Sequence, residues 1–152
     1  SSSNPNTFYF IPAQGGSDVW QQSITTTGSN KVLINIHIQI GNSATSYSTF
    51  YAIFRGVATD TVIGSCTKLA YGTEKSGSNQ TQATGMRHDN ANTIDNLSMT
   101  WLDSPGAGTH FYKIGWNAEA TSTGYINRNS GDNNMAHVPT VPSTLTLMEV
   151  SA

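Results

Sequence analysis

The clearest pattern in the chain is "NKVLINIHIQIG", in which apolar and polar residues alternate with a period of two. Val32, Ile34, Ile36, Ile38 and Ile40 point one way, and Leu33, Asn35, His37 and Gln39 the other. That spacing predicts a strand with one dry face and one mostly polar face. "SYSTFYAIFRG" follows the turn-like "GNSAT" and predicts an antiparallel partner, with Phe50, Ala52 and Phe54 on one face and Tyr51, Ile53 and Arg55 on the other. "TDTVIGS" reads as a short strand, and "YGTEKSGSNQTQATGMRHDNAN" as a long polar connection. Strands then pass through Leu97, Met99 and Trp101, through His110, Tyr112, Ile114 and Trp116, and through "TGYIN". "STLTLMEV" closes the chain with Leu145 and Leu147 on one face and Met148 and Val150 on the other. "NTFYFIPAQGG" and "DVWQQSITTTGSN" add one or two strands upstream. Eight to ten short strands separated by Gly, Pro and Asn turns predict an all-β sandwich or barrel.

Composition supports a folded chain. At 152 residues it is long enough for a single domain with its own core. Only 11 % is charged, while Ser, Thr and Asn make up roughly a third. The formal charge of -2 and the 9 % aromatic content differ from those of a disordered chain. The Lys and Arg residues are scattered, which argues against a nucleic-acid partner. No apolar run reaches transmembrane length, so membrane insertion is not expected. "SSSNPN" predicts a flexible arm, with residues 1–16 read as an N-terminal arm or linker to a sandwich filling the rest of 1–152. A start at Ser1 with no signal sequence leaves processing or domain excision open. Cys66 has no intrachain disulfide partner and reads as a small buried apolar residue.

Candidate chemistry is sparse. No hydrolase elbow, zinc-protease helix or phosphate loop is present. Asp89, Asp95, Asp103 and Glu119 are default candidates for a carboxylate pair, but their spacing singles out no two of them. The four histidines lack metal-ligand spacing. His37 and His110 read as hydrogen-bonded strand residues, and His88 as a loop histidine beside Asp89 that could hold a cation at a subunit contact. Asn127, Arg128, Asn129, Asp132, Asn133 and Asn134 form an acceptor-rich stretch suited to sugar hydroxyls or calcium, and equally to tight turns. Trp20, Trp101 and Trp116 could stack on sugars, although core packing is the plainer reading. Tyr47, Tyr51 and Tyr125 suit exposed or interfacial use. No cofactor and no metal are expected.

Together, "MTWLDSPGAGTHFYKIGW", "GYINRN", "FYAIFRGVATDTVIG" and "STLTLMEV" resemble the C-terminal domains of tail-fibre and related virion surface proteins of tailed bacteriophages, notably those of marine and cyanobacterial hosts. The likeness spans roughly Asp18 to Val150. It implies a jelly-roll β-sandwich, similar to the tumour-necrosis-factor and C1q heads, that assembles as a homotrimer with its first and last strands central in the inner sheet. Met148, Val150, Tyr51 and Tyr125 would then line the trimer interface. The implied protein is non-enzymatic and sits on the virion surface. It would attach the particle to a host glycan or protein through loops around Thr73 to Asn92 and Arg128 to Asn134, with other virion proteins as further partners. The alternatives are a capsid decoration or head-fibre protein and, more remotely, a glycan depolymerase.

Overall fold

The structure, a computed structural model, describes residues 8–12, 19–70, 84–91, 93–119, 122–130 and 142–152. Its ten strands are β1 (Tyr9–Phe10), β2 (Gln21–Thr26), β3 (Lys31–Asn42), β4 (Tyr47–Gly56), β5 (Thr67–Leu69), β6 (Thr84–His88), β7 (Asp95–Asp103), β8 (Gly108–Ala118), β9 (Gly124–Ile126) and β10 (Thr144–Val150). They form a six-stranded and a four-stranded sheet, with every pairing antiparallel. The two sheets pack face to face, so the all-β sandwich expected from the strand pattern is the fold. The expected number of strands also holds among the described residues.

The core follows from the alternation. Val32, Ile34, Ile36, Ile38 and Ile40 are buried along β3, each contributing roughly 2 kcal/mol of gross hydrophobic stabilisation before chain entropy is charged. Tyr51 and Ile53 from β4, and Tyr112 and Ile114 from β8, meet them from the other sheet. The opposite face of β4 builds a second, smaller cluster. Phe54 takes the rings of Phe8 and Phe10 edge-on, at centroid distances of 6.0 and 5.8 Å, while Phe50, Ile63 and Cys66 pack around it. Residues 60–66 therefore form a cover containing a 3-10 turn at Ile63–Ser65, where the sequence pattern suggested a strand. Phe8 and Ile11 are both buried, so residues 8–12 belong to the sandwich and not to an arm.

Several flanking strands are split. β1 and β2 lie in line along one side of β8, β5 and β6 along one side of β4, and β9 and β10 along one side of β3. The supposed long connection after Tyr71 thus ends in a strand, β6. β10 is a flank, because β3 occupies the centre with β7 on its other side. This corrects the expectation that the closing strand lies centrally. β3 is the longest strand and has the most regular buried face, so it takes the position with neighbours on both sides.

Three polar devices hold the strands and their turns in place. Asp103 of β7 accepts from Arg55 Nη1 at 2.6 Å and from the Tyr112 hydroxyl at 2.8 Å, linking the two sheets. Burial, followed by the Asp103 hydrogen bond, pushes the Tyr112 phenol far above its usual range. Lys113 is wholly buried. Its ammonium donates to the carbonyls of Val57 (2.8 Å) and Asp60, closing the turn after β4. His88, also wholly buried, bonds Thr49 Oγ1 at 2.6 Å through Nε2. The Asp95 carboxylate stands 2.9 Å from His88 Nδ1, at ion-pair distance but out of line for a hydrogen bond.

Candidate functional site

Two surfaces and one loop stand out. The first surface is the outer face of the four-stranded sheet. Because Val32, Ile34 and Ile36 point inward, their neighbours on β3 point out. Register then aligns Met148, Leu33 and Leu102 in one row across β10, β3 and β7. Met148 is 53 % exposed and Leu102 48 %. Thr146, Asn35 and Thr100 form the next row, and Thr144, His37 and Ser98 the one after. Thr100 donates to Asn35 Oδ1 at 2.8 Å, and His37 Nδ1 lies 3.0 Å from Ser98 Oγ. On the other side of the apolar row, Val150 sits opposite Lys31. Lys31 is the one Lys, Arg, Asp or Glu in these four rows. A face with an apolar row and almost no charge is inexpensive to desolvate.

Trp101 lies opposite Ile34 and so shares its inward row. It is nevertheless 41 % exposed, because β7 is a flank and the ring reaches past the edge of the core. The core position expected for it does not hold. Tyr51 is not interfacial either: it is wholly buried between the sheets, which pushes its phenol far above the usual range. Alternation along β4 placed Tyr51 beside Ile53, and this was the signal that should have decided its role.

The second surface is a cleft of about 310 Å³ where β1, β8 and the approach to β9 meet. Tyr9 lies directly opposite Trp116, so the two rings spring from neighbouring points on one face. A Cβ at Gly124 would collide with the Trp116 ring; glycine there lets the backbone lie flat on the indole and hold it. Ser122 donates to the Glu119 carbonyl at 2.7 Å. The Ser43 N–H donates to the Thr123 carbonyl at 2.8 Å, and the Thr123 N–H donates to Ser43 Oγ at 2.8 Å. Sequence reasoning raised Trp116 for stacking with core packing as the plainer reading, and its partly buried ring does pack against the core; it missed Tyr9, which falls within the supposed arm.

The loop is Asn127–Asn129. Asn127 has a positive φ of 62°. Its N–H donates to the Gln39 carbonyl at 2.9 Å, and its Oδ1 accepts from Ser143 Oγ at 2.6 Å. Asn129 is buried, while Arg128 is exposed with its guanidinium 4.6 Å from the centroid of the half-buried Tyr125 ring. Asn127 therefore performs turn chemistry. Asp132, Asn133 and Asn134 lie outside the described residues, as do Thr73 to Ala83 and Asn92 of the other suspected loop. His88 is a buried strand residue, not a loop residue free to hold a cation.

Three of the four default carboxylates have structural partners: Asp103 serves Arg55 and Tyr112, Glu119 accepts the Ser48 N–H at 3.0 Å, and Asp95 faces His88. Asp89 is exposed. Among the described residues, no three His, Cys, Asp or Glu side chains are grouped to hold a metal ion, and no helix is long and apolar enough to cross a membrane. No protein-family model matches the chain, and no curated protein matches it.

Proposed function

We propose that this chain is a non-enzymatic virion surface protein, a homotrimeric β-sandwich head that attaches a tailed bacteriophage to its host. The observation that carries the reading is the outer face of the four-stranded sheet, where Met148, Leu33 and Leu102 make an apolar row in a nearly uncharged field. Such a face suits burial against a second copy of itself. The last strand then gains on its outer side the cover that the sandwich gives its inner side. Met148 and Val150 keep the interfacial role that the resemblance assigns them. Trimeric order, the jelly-roll circuit and the virion setting come from that resemblance.

Light scattering behind a sizing column tests the assembly, and retention of the labelled protein on cyanobacterial and other marine bacterial cells tests the attachment. A trimer that stays on cells of some strains and not others is expected. A monomer that binds none overturns the reading. A trimer that ignores cells but co-sediments with capsids replaces attachment with shell decoration.

A further inference from the structure

We propose that the outer face of the four-stranded sheet is an acid-released contact between copies, with His37 as the group that releases it. This regulation rests on that face being the assembly surface, as proposed above. His37 lies in the third row of the face, between Thr144 of β10 and Ser98 of β7. Leu33 of the apolar row is four residues away on the same strand, roughly 13 Å. Histidine is the side chain whose charge ordinarily changes between about pH 5 and pH 8. Acid therefore sets a cation on a face that is otherwise inexpensive to desolvate.

The hydrogen bonds at the ring fit the neutral imidazole. Gln39 Nε2, which can only donate, stands 2.7 Å from His37 Nε2. Nε2 then accepts, and the ring proton sits on Nδ1, facing Ser98 Oγ at 3.0 Å. Gln39 is nearly buried, and its backbone is fixed by Asn127 and Ser143. A second proton, on Nε2, meets the Gln39 N–H, so the amide has to turn over to accept it.

Nothing described on the face offsets the added charge. None of the outward residues of β7 or β10 is charged. Asp95 and Asp103 of β7 point inward, to His88 and Arg55, and Glu149 of β10 turns to Thr27 and Asn30. The charges toward the two ends of the face are cations: Lys31 opposite Val150, and Arg128 over the Tyr125 ring of β9. An imidazolium between them is repelled by both and has no carboxylate among the described residues to pair with. Copies that bury this face therefore take the neutral ring in preference to the charged one. Association is fully present above the histidine range and is lost as pH falls through it.

The test is light scattering behind a sizing column, over a dilution series of the full chain, from about pH 7.5 to about pH 5.5, a range in which ordinary carboxylates stay ionised. The parent's association constant should fall at least about tenfold across that range. His37→Gln keeps a polar side chain that cannot charge and should associate equally at both ends. His37→Lys, cationic throughout, should already be dissociated at about pH 7.5. His110→Gln and His137→Gln should keep the parental response, and a urea melt of each protein at each pH confirms an intact fold. A pH response that persists in His37→Gln, or a His37→Lys protein as associated as the parent, overturns the inference. A parent equally associated at both ends also overturns it and leaves the assembly reading standing. A parent that is monomeric even at about pH 7.5 overturns the assembly reading itself, and the acid release falls with it.

Discussion

Replacing Met148 with lysine probes the outer face directly. In the single chain the Met148 side chain is half exposed, so the substitution should change monomer stability by no more than about 0.5 kcal/mol. In an assembly that buries this row the effect is much larger. Completing the burial of a half-exposed methionine contributes about 1 kcal/mol per copy, or about 3 kcal/mol over three copies. Lysine forfeits that gain. It also sets an ammonium diagonally across from Lys31, since Lys31 pairs with Val150 and Leu33 with Met148, so like charges gather in a desolvated contact. The association constant should fall by more than about a hundredfold. Light scattering over a dilution series reads the association, and a urea melt at high dilution confirms an intact fold. A Met148→Lys protein that stays as associated as the parent would refute the role given to this face.

Three other substitutions test the structural devices. Asp103→Ala strips the shared acceptor from Arg55 and Tyr112 and should cost about 3 kcal/mol in urea unfolding; a loss below about 1 kcal/mol would mean the inter-sheet link matters little. Lys113→Met should cost about 2 kcal/mol and speed amide exchange across Val57–Cys66, with exchange elsewhere changing only through global stability. Glu149→Gln should flatten the acid limb of the stability curve. The Thr27 N–H, then the Asn30 amide, hold the Glu149 carboxyl below its usual value of 4.5. That contribution is fully present above the unfolded value and is lost as pH falls through the lower folded one. The parent should exceed Glu149→Gln in stability at pH 7, and the gap should close in acid. A gap that persists at pH 2 would contradict the assignment.

Period-two alternation carries nearly everything about the sandwich that was readable in the chain. β3, β4, β7, β8 and β10 each announce two faces, and those faces sort core from surface, with Phe50 and Phe54 on the second cluster and Tyr51 and Ile53 in the first. Alternation says nothing about lateral order, and so the flank position of β10 was not legible. It is also weak in short segments: β6 (Thr84–His88) hides in a polar run because its one fully buried side chain is a histidine, held through Nε2 by Thr49 from another strand. The cleft escaped notice for a related reason. Tyr9 and Trp116 are far apart in sequence, and only the pairing of β1 with β8 brings them together.

The split flank of β3 has a consequence for how the sheet comes apart. β9 ends opposite Ile40 and β10 begins opposite His37, so the two strands flank β3 end to end. Their junction is sealed at Gln39, whose carbonyl accepts from the Asn127 N–H and whose N–H donates to Ser143 Oγ, while Ser143 in turn donates to Asn127 Oδ1. Ser130, just beyond, bonds the Ala91 carbonyl. A single residue of β3 thus acts as a rivet shared by the tail of one strand and the head of the next. Local opening at that rivet loosens both strands together, so the two behave as one cooperative unit in exchange although they are separate in sequence.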